Sequence, residues 1–310
     1  MSQPKLIASY FTLAGNIIPF ASSDPAPFGL KERAEAAAAA GFVGIGLETN
    51  DLAHYVRTIG YGGIRKIMAD AGLDYIEFEV LTDWFTEGER RAASDANRAF
   101  LLEAAAELGA AQIKTVGELF LAPGPASVSS WPLEKVGDDF GQLCREAAKA
   151  GTRVSIELVP GAAIQDLETG RRVVDHAGEP NGGLLIDIWH MARGGISYDD
   201  VANLPPYLVT AVEVDDAMKQ QVGTIFEDTI NNRKLPGEGE LDVPAFLHSI
   251  MLTGYQGVYG IEIVSEEHRH RTLEDAARSS FDSTMAQFEK ARSLESGPVD
   301  GVSRGGASAG

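Results

Sequence analysis

Apolar positions along the chain alternate between two spacings. Stretches with helical spacing end in a glycine and give way at once to short β-rich runs. The helical pattern closing at Ala40 leads through Gly41 to Leu47, and that closing at Ala71 leads through Gly72 to Phe78. Phe100 to Leu108 leads through Gly109 to Val116, Leu143 to Ala150 through Gly151 to Ile156, and Phe246 to Leu252 through Gly254 to Ile261. Glycine after a helix supplies a left-handed C-cap, and a strand after each helix at regular intervals is the repeat of a parallel sheet. Adding Lys5 to Tyr10, Gly183 to Ile188 and Leu208 to Val214 gives eight strands, the closure number of a barrel. The predicted fold is α/β, a single (β/α)8 barrel. The runner-up, an open doubly wound sheet, lacks a Gly-rich fingerprint after the first strand. Helix-start signals keep the same phase: Asp166 before Leu167, Asp242 before Val243-Pro244, and Thr272 with Asp275 three residues on.

Four of these runs carry a lone carboxylate between apolar residues: Ile156-Glu157-Leu158, Ile186-Asp187-Ile188, Val212-Glu213-Val214 and Ile261-Glu262-Ile263. Side chains alternate faces along a strand, so each acid points away from both apolar neighbours, and a buried unpaired carboxylate is too costly to leave uncompensated. In a barrel these positions are near the C-terminal ends of strands five to eight, where catalytic groups sit. Glu157, Asp187, Glu213 and Glu262 are therefore expected to hold one divalent metal ion. Oxygen ligands favour a hard ion, so manganese is the first expectation, with magnesium, cobalt or zinc as alternatives.

Composition narrows the class. Hydrophobic residues are 44% and charged residues 23% of the 310, which is ordinary for a globular protein. The barrel is expected over 1–293 and a disordered Gly/Ser-rich tail over 294–310. A net charge of -19 with no basic stripe disfavours nucleic acid, and no apolar stretch approaches a membrane span. The start of the chain has no basic-then-apolar leader, so a cytoplasmic location is expected. The single cysteine, Cys144, falls in a helical pattern and reads as a buried structural thiol.

Around the metal, His190 follows Asp187 by three residues and is expected to meet a substrate oxygen and move protons. Arg233, after strand seven, is the candidate cation to offset the acids. Lys114 on strand four and Glu79 on strand three are inward candidates, and Trp84 is a candidate pocket wall. His54, His176, His248, His268 and His270 read as surface residues.

Together, Ile156-Glu157, Asp187-Ile188-Trp189-His190, Pro236-Gly237-Glu238-Gly239-Glu240-Leu241-Asp242 and the run from Gly254 to Ile263 make the chain resemble the sugar isomerase and epimerase superfamily with a xylose-isomerase-like TIM barrel, over roughly residues 5 to 290. The superfamily includes ketose 3-epimerases, hydroxypyruvate isomerase, inosose dehydratases and dehydroshikimate dehydratases. By that resemblance Glu157, Asp187 and Glu262 match metal ligands, His190 the histidine on a substrate oxygen, and Arg233 the arginine at the substrate's edge. Members generally place His or Gln on strand seven, where this chain has Glu213, and the stretch from Met218 to Asn232 looks longer than in compact relatives. The chemistry implied is proton abstraction next to a carbonyl, with Glu157 and Glu262 as bases on two faces. Isomerisation or epimerisation of a non-phosphorylated sugar or polyol-derived ketone is the first expectation, β-elimination by a lyase the second, and a non-catalytic binding barrel the third. The expected partner is this small molecule, and a homo-oligomer is left open.

Overall fold

The computed structural model describes residues 3–19, 25–118 and 131–295. Eight parallel strands close on themselves in chain order: β1 Leu6–Ala8, β2 Gly44–Glu48, β3 Tyr75–Leu81, β4 Gln112–Val116, β5 Arg153–Glu157, β6 Gly182–Asp187, β7 Val209–Val214 and β8 Tyr259–Ile261. All eight expected strands are present, and β8 pairs with β1 through Leu6–Tyr259, Ile7–Gly260 and Ala8–Ile261. Glycine ends the preceding helices as anticipated, with left-handed φ at Gly41 (111°), Gly72 (74°) and Gly109 (67°). Asp166 and Asp242 cap the helices Leu167–Ala177 and Val243–Leu252 by accepting the N–H groups of Thr169 and Ala245. The last helix, Leu273–Glu295, runs past the anticipated boundary at 293, and the rest of the tail lies outside the described residues.

Strand alternation divides the residues by chemistry. Leu47, Phe78, Ile113, Ile156, Ile186, Val212 and Ile261 face outward and join the helices in one apolar core between barrel and helix ring. The other face of the same strands carries Glu77, Glu79, Gln112, Lys114, Ser155, Glu157, Asp187 and Glu213. These meet inside the barrel: Ser155 Oγ lies 2.9 Å from Thr210 Oγ1, and Gln112 Nε2 donates to Glu77 Oε2 on the adjacent strand at 2.8 Å. The barrel axis is thus polar from its middle to its C-terminal mouth, and the stabilising apolar burial lies outside it.

Cys144 is fully buried on the helix Leu133–Lys149, and burial pushes its thiol up to about 12, which leaves it an inert packing group. No described helix is long and apolar enough to cross a membrane.

Candidate active site

Register places the four acids at one level. Glu157 and Asp187 are the last residues of β5 and β6, Asp187 pairs with Glu213 on β7, and Glu262 follows the end of β8. One oxygen from each of Glu157, Asp187, Glu213 and Glu262 lies within 4.8 Å of all the others. Asp187 also caps the following helix, its Oδ1 accepting the His190 N–H at 2.8 Å. That cap fixes His190 beside Glu157, with Nε2 2.9 Å from Glu157 Oε1.

Two cations are built into the cluster. Lys114 Nζ stands 2.8 Å from Glu77 Oε1 and 3.0 Å from Glu79 Oε1, and it touches Glu213 Oε1 directly. Ser9 Oγ donates to the same Glu213 oxygen at 2.7 Å. Arg233 Nη1 lies 3.0 Å from Asp187 Oδ2, 2.7 Å from Asp215 Oδ2 and 3.0 Å from Glu262 Oε2, with its guanidinium carbon 5.2 Å from the Trp189 ring centre.

Arg233 is held by its backbone. The chain returns from the loop after β7 to bridge Asp216 with Lys234 and Asn232 with Ser265, so the residue between the bridges projects over the mouth. The return depends on Asp216, whose carboxylate accepts the N–H groups of Ala217, Gly237, Gly239 and Leu241 at 2.7 to 3.0 Å. Glycine is required at 239, where a Cβ would come within 2.3 Å of Asp216 Oδ1.

Seven carboxylates (Glu77, Glu79, Glu157, Asp187, Glu213, Asp215, Glu262) thus surround Lys114 and Arg233. Crowding shows in their acidities. Burial, and then the charge of Glu213, hold Glu262 well above the usual carboxylate range. Burial pushes Glu213 up to about 8, with Lys114 pulling it back. Asp215 is raised by burial and by Asp187, and Glu79 by burial against the pull of Lys114. Burial works against Glu157, but the adjoining His190 together with Lys114 and Arg233 outweighs it, and the net shift is downward.

The donor set fits a hard divalent cation. Four acids already converge, and Glu213 Oε2 is buried with no hydrogen-bond partner among the described residues. Such an oxygen, inside an excess of negative charge, calls for a cation. Glu157, Asp187, Glu213 and Glu262 are the residues that would hold it. Above them opens a cavity of about 420 Å³ whose lining includes Glu79, Lys114, Glu157, Trp189, His190, Arg233 and Glu262.

A family model described as the xylose isomerase-like TIM barrel matches residues 34–284. The chain belongs to the xylose isomerase-like TIM barrel family. Within the family it is 28% identical over 264 residues to a 3-dehydroshikimate dehydratase of Pseudomonas aeruginosa, covering 85% of this chain and 40% of that protein. It is 23% identical over 156 residues to an inosose isomerase of Halalkalibacterium halodurans, covering 50% of this chain and 54% of that one. The chain therefore spans less than two thirds of the curated relatives it matches. Among solved structures, the IOLI protein with a binding zinc atom superposes with a TM-score of 0.79 at 18% identity, covering 93% of this chain and 99% of that chain. The related proteins are enzymes, dehydratase and isomerase alike.

Two expectations are corrected. Trp84 is not at the cavity: it is fully buried against Phe85 and Phe140, its Nε1 donating to Val116 O at 3.0 Å, which turns the ring into the helix layer. His268 is not a surface residue: it is 3% exposed, with Nε2 2.9 Å from Thr12 O. Sequence reasoning also passed over Ser9, Glu77 and Asp215. The two acids were findable, since each lies two residues from a singled-out acid, Glu79 or Glu213, on the same strand face.

Proposed function

We propose that this chain is a divalent-metal-dependent enzyme that removes a proton next to a carbonyl of a non-phosphorylated hydroxyketone, derived from a sugar or polyol, and returns it to isomerise or epimerise the substrate. The observation that carries this reading is the convergence of Glu157, Asp187, Glu213 and Glu262 on one point, beneath a cavity that Glu157, Glu262 and His190 line. A bound ion would supply Lewis-acid polarisation of the carbonyl. Glu262, just after β8, and Glu157, at the end of β5, are the two candidate bases, and His190 moves protons between substrate oxygens. Arg233 and Lys114 limit the negative charge of the floor, and Glu79 lies beside Lys114 where a substrate hydroxyl can reach it.

A phosphorylated substrate is disfavoured because the nearby cations are already engaged. Arg233 serves three carboxylates, Arg269 donates to Ile230 O and Asn231 Oδ1, Arg271 pairs with Glu267 and Asp275, and Lys234 faces Glu267. One observation favours a second reading, β-elimination: the match to the dehydratase covers 85% of this chain, against 50% for the isomerase. Proton return gives isomer or epimer, whereas loss of a β-hydroxyl gives a dehydrated product.

Keto sugars, inososes and dehydroshikimate, incubated in deuterated water with the protein loaded with manganese or zinc, test both readings. Metal-dependent deuterium incorporation without mass loss supports isomerisation, and loss of water supports elimination. A protein that binds these compounds and exchanges no proton from any of them is a binding barrel.

A further inference from the structure

The cavity over the carboxylates has two chemically distinct parts. Its floor is ionic, while its wall and rim carry Phe11, Val80, Val159, Pro160, Ile225 and Phe226. Phe226 is 41% exposed and Ile225 37%. Both sit in the first turn of the helix Ile225–Asn231, which Thr224 and Glu227 secure by a reciprocal capping box. Of the eight large apolar side chains most exposed among the described residues, four (Met218, Val222, Ile225, Phe226) fall within the segment 218–226. Scattered apolar side chains need no explanation, but a cluster on the segment that borders a ligand cavity points to an occupant.

Among the described residues, this apolar wall offers few hydrogen-bonding side chains. The Thr224 hydroxyl is engaged with Glu227, and Thr229 Oγ1 faces Arg233 Nη2 at 3.5 Å. A substrate with hydroxyls on every carbon would lose water against this wall and gain few partners among the described residues. The cavity of about 420 Å³ falls in the range of pockets that enclose drug-sized ligands, roughly 300–1,000 Å³. An occupant ending at the ionic floor would leave Ile225 and Phe226 in water.

We infer that the substrate is amphipathic: a hydroxyketone whose polar carbons meet the carboxylate floor and which bears an aryl or alkyl substituent that covers Ile225 and Phe226. This rests on the proposed function only for what happens at the floor.

The test compares the O-methyl and O-benzyl ethers of one keto sugar with the metal-loaded full chain. Dissociation constants come from ligand-observed NMR, and proton exchange is measured separately. The benzyl ether is expected to bind at least about tenfold more tightly, equivalent to about 1.4 kcal/mol. In the double variant Ile225→Ser, Phe226→Ser that ratio should fall to within about twofold of one. Both side chains are partly exposed, so the fold should survive, which a thermal melt verifies. Equal binding of the two ethers by the wild type overturns the inference, as does a benzyl advantage that survives the double variant. So does a change of sedimentation in the double variant with the ratio kept, because a second copy of the chain then covers the rim. If neither ether exchanges a proton the proposed chemistry fails, while the ratio of dissociation constants still decides the apolar subsite.

Discussion

His190 Nε2 lies 2.9 Å from Glu157 Oε1 and 3.3 Å from Arg233 Nη2. One ring nitrogen cannot donate to the carboxylate and accept from the guanidinium at once, so the imidazole has a choice of partner. Its other nitrogen, Nδ1, is buried without a partner among the described residues. A histidine with one contested nitrogen and one open nitrogen is suited to relay a proton rather than to brace a fold.

His190→Asn should therefore lower kcat by about 10²- to 10⁴-fold, the usual contribution of a positioned acid-base group. Metal content by elemental analysis and the thermal melt should stay near wild type. A variant that loses its metal along with its activity would make His190 a ligand instead of a relay.

Glu262→Gln tests the base. The amide keeps size and one acceptor oxygen but cannot take a proton, so turnover should fall about 10²- to 10⁴-fold in a folded protein. Solvent deuterium exchange is the deciding readout. Exchange at the wild-type rate in a metal-loaded variant would remove Glu262 from the proton transfer and leave Glu157.

Lys114 neutralises Glu77, Glu79 and Glu213 where water is excluded, its side chain being 3% exposed. Replacing it by Met strands three carboxylates, so unfolding in urea should show a loss of about 3–5 kcal/mol. Adding Glu213→Gln removes one of the stranded charges and should recover part of that loss. A double variant as unstable as the sum of the singles would mean that the pair is not coupled.

The parts of the molecule legible from sequence are those with local causes. Glycine caps and apolar runs are set within a few residues, and they located all eight strands. Period-two alternation likewise placed Glu157, Asp187, Glu213 and Glu262 on one face, which is why the structure brings them together. Other placements are set at long range, and sequence reasoning offers them only as candidates or misplaces them. Arg233 reaches the mouth only because two bridges and the Asp216 carboxylate fold its loop back. Trp84, three residues beyond β3, has the sequence of a rim residue until its indole finds the Val116 carbonyl on the neighbouring strand. The long stretch from Met218 to Asn232 was visible as an irregularity. Its capping box, Thr224 with Glu227, was the unused signal that a helix there carries Ile225 and Phe226 to the cavity.

His268 shows how much a long-range contact changes a residue's behaviour. It donates from Nε2 to the carbonyl of Thr12, linking the segment after β8 to the one after β1, while Nδ1 is buried and unpartnered among the described residues. Burial disfavours the charged ring and lowers its pKa from 6.5 to about 4. The unfolded chain therefore binds a proton at a higher pH than the native one does. The resulting stabilisation is fully present above pH 6.5 and is lost as the pH falls towards 4, with a total of roughly 3 kcal/mol for a shift of this size. His268→Gln keeps an N–H donor for Thr12 and cannot titrate. Urea unfolding of both proteins from pH 7 to pH 4 should show the wild type losing roughly 3 kcal/mol more than the variant across that window. Parallel curves would place the acid sensitivity in the carboxylates, and the Thr12 contact would then be no more than a structural hydrogen bond.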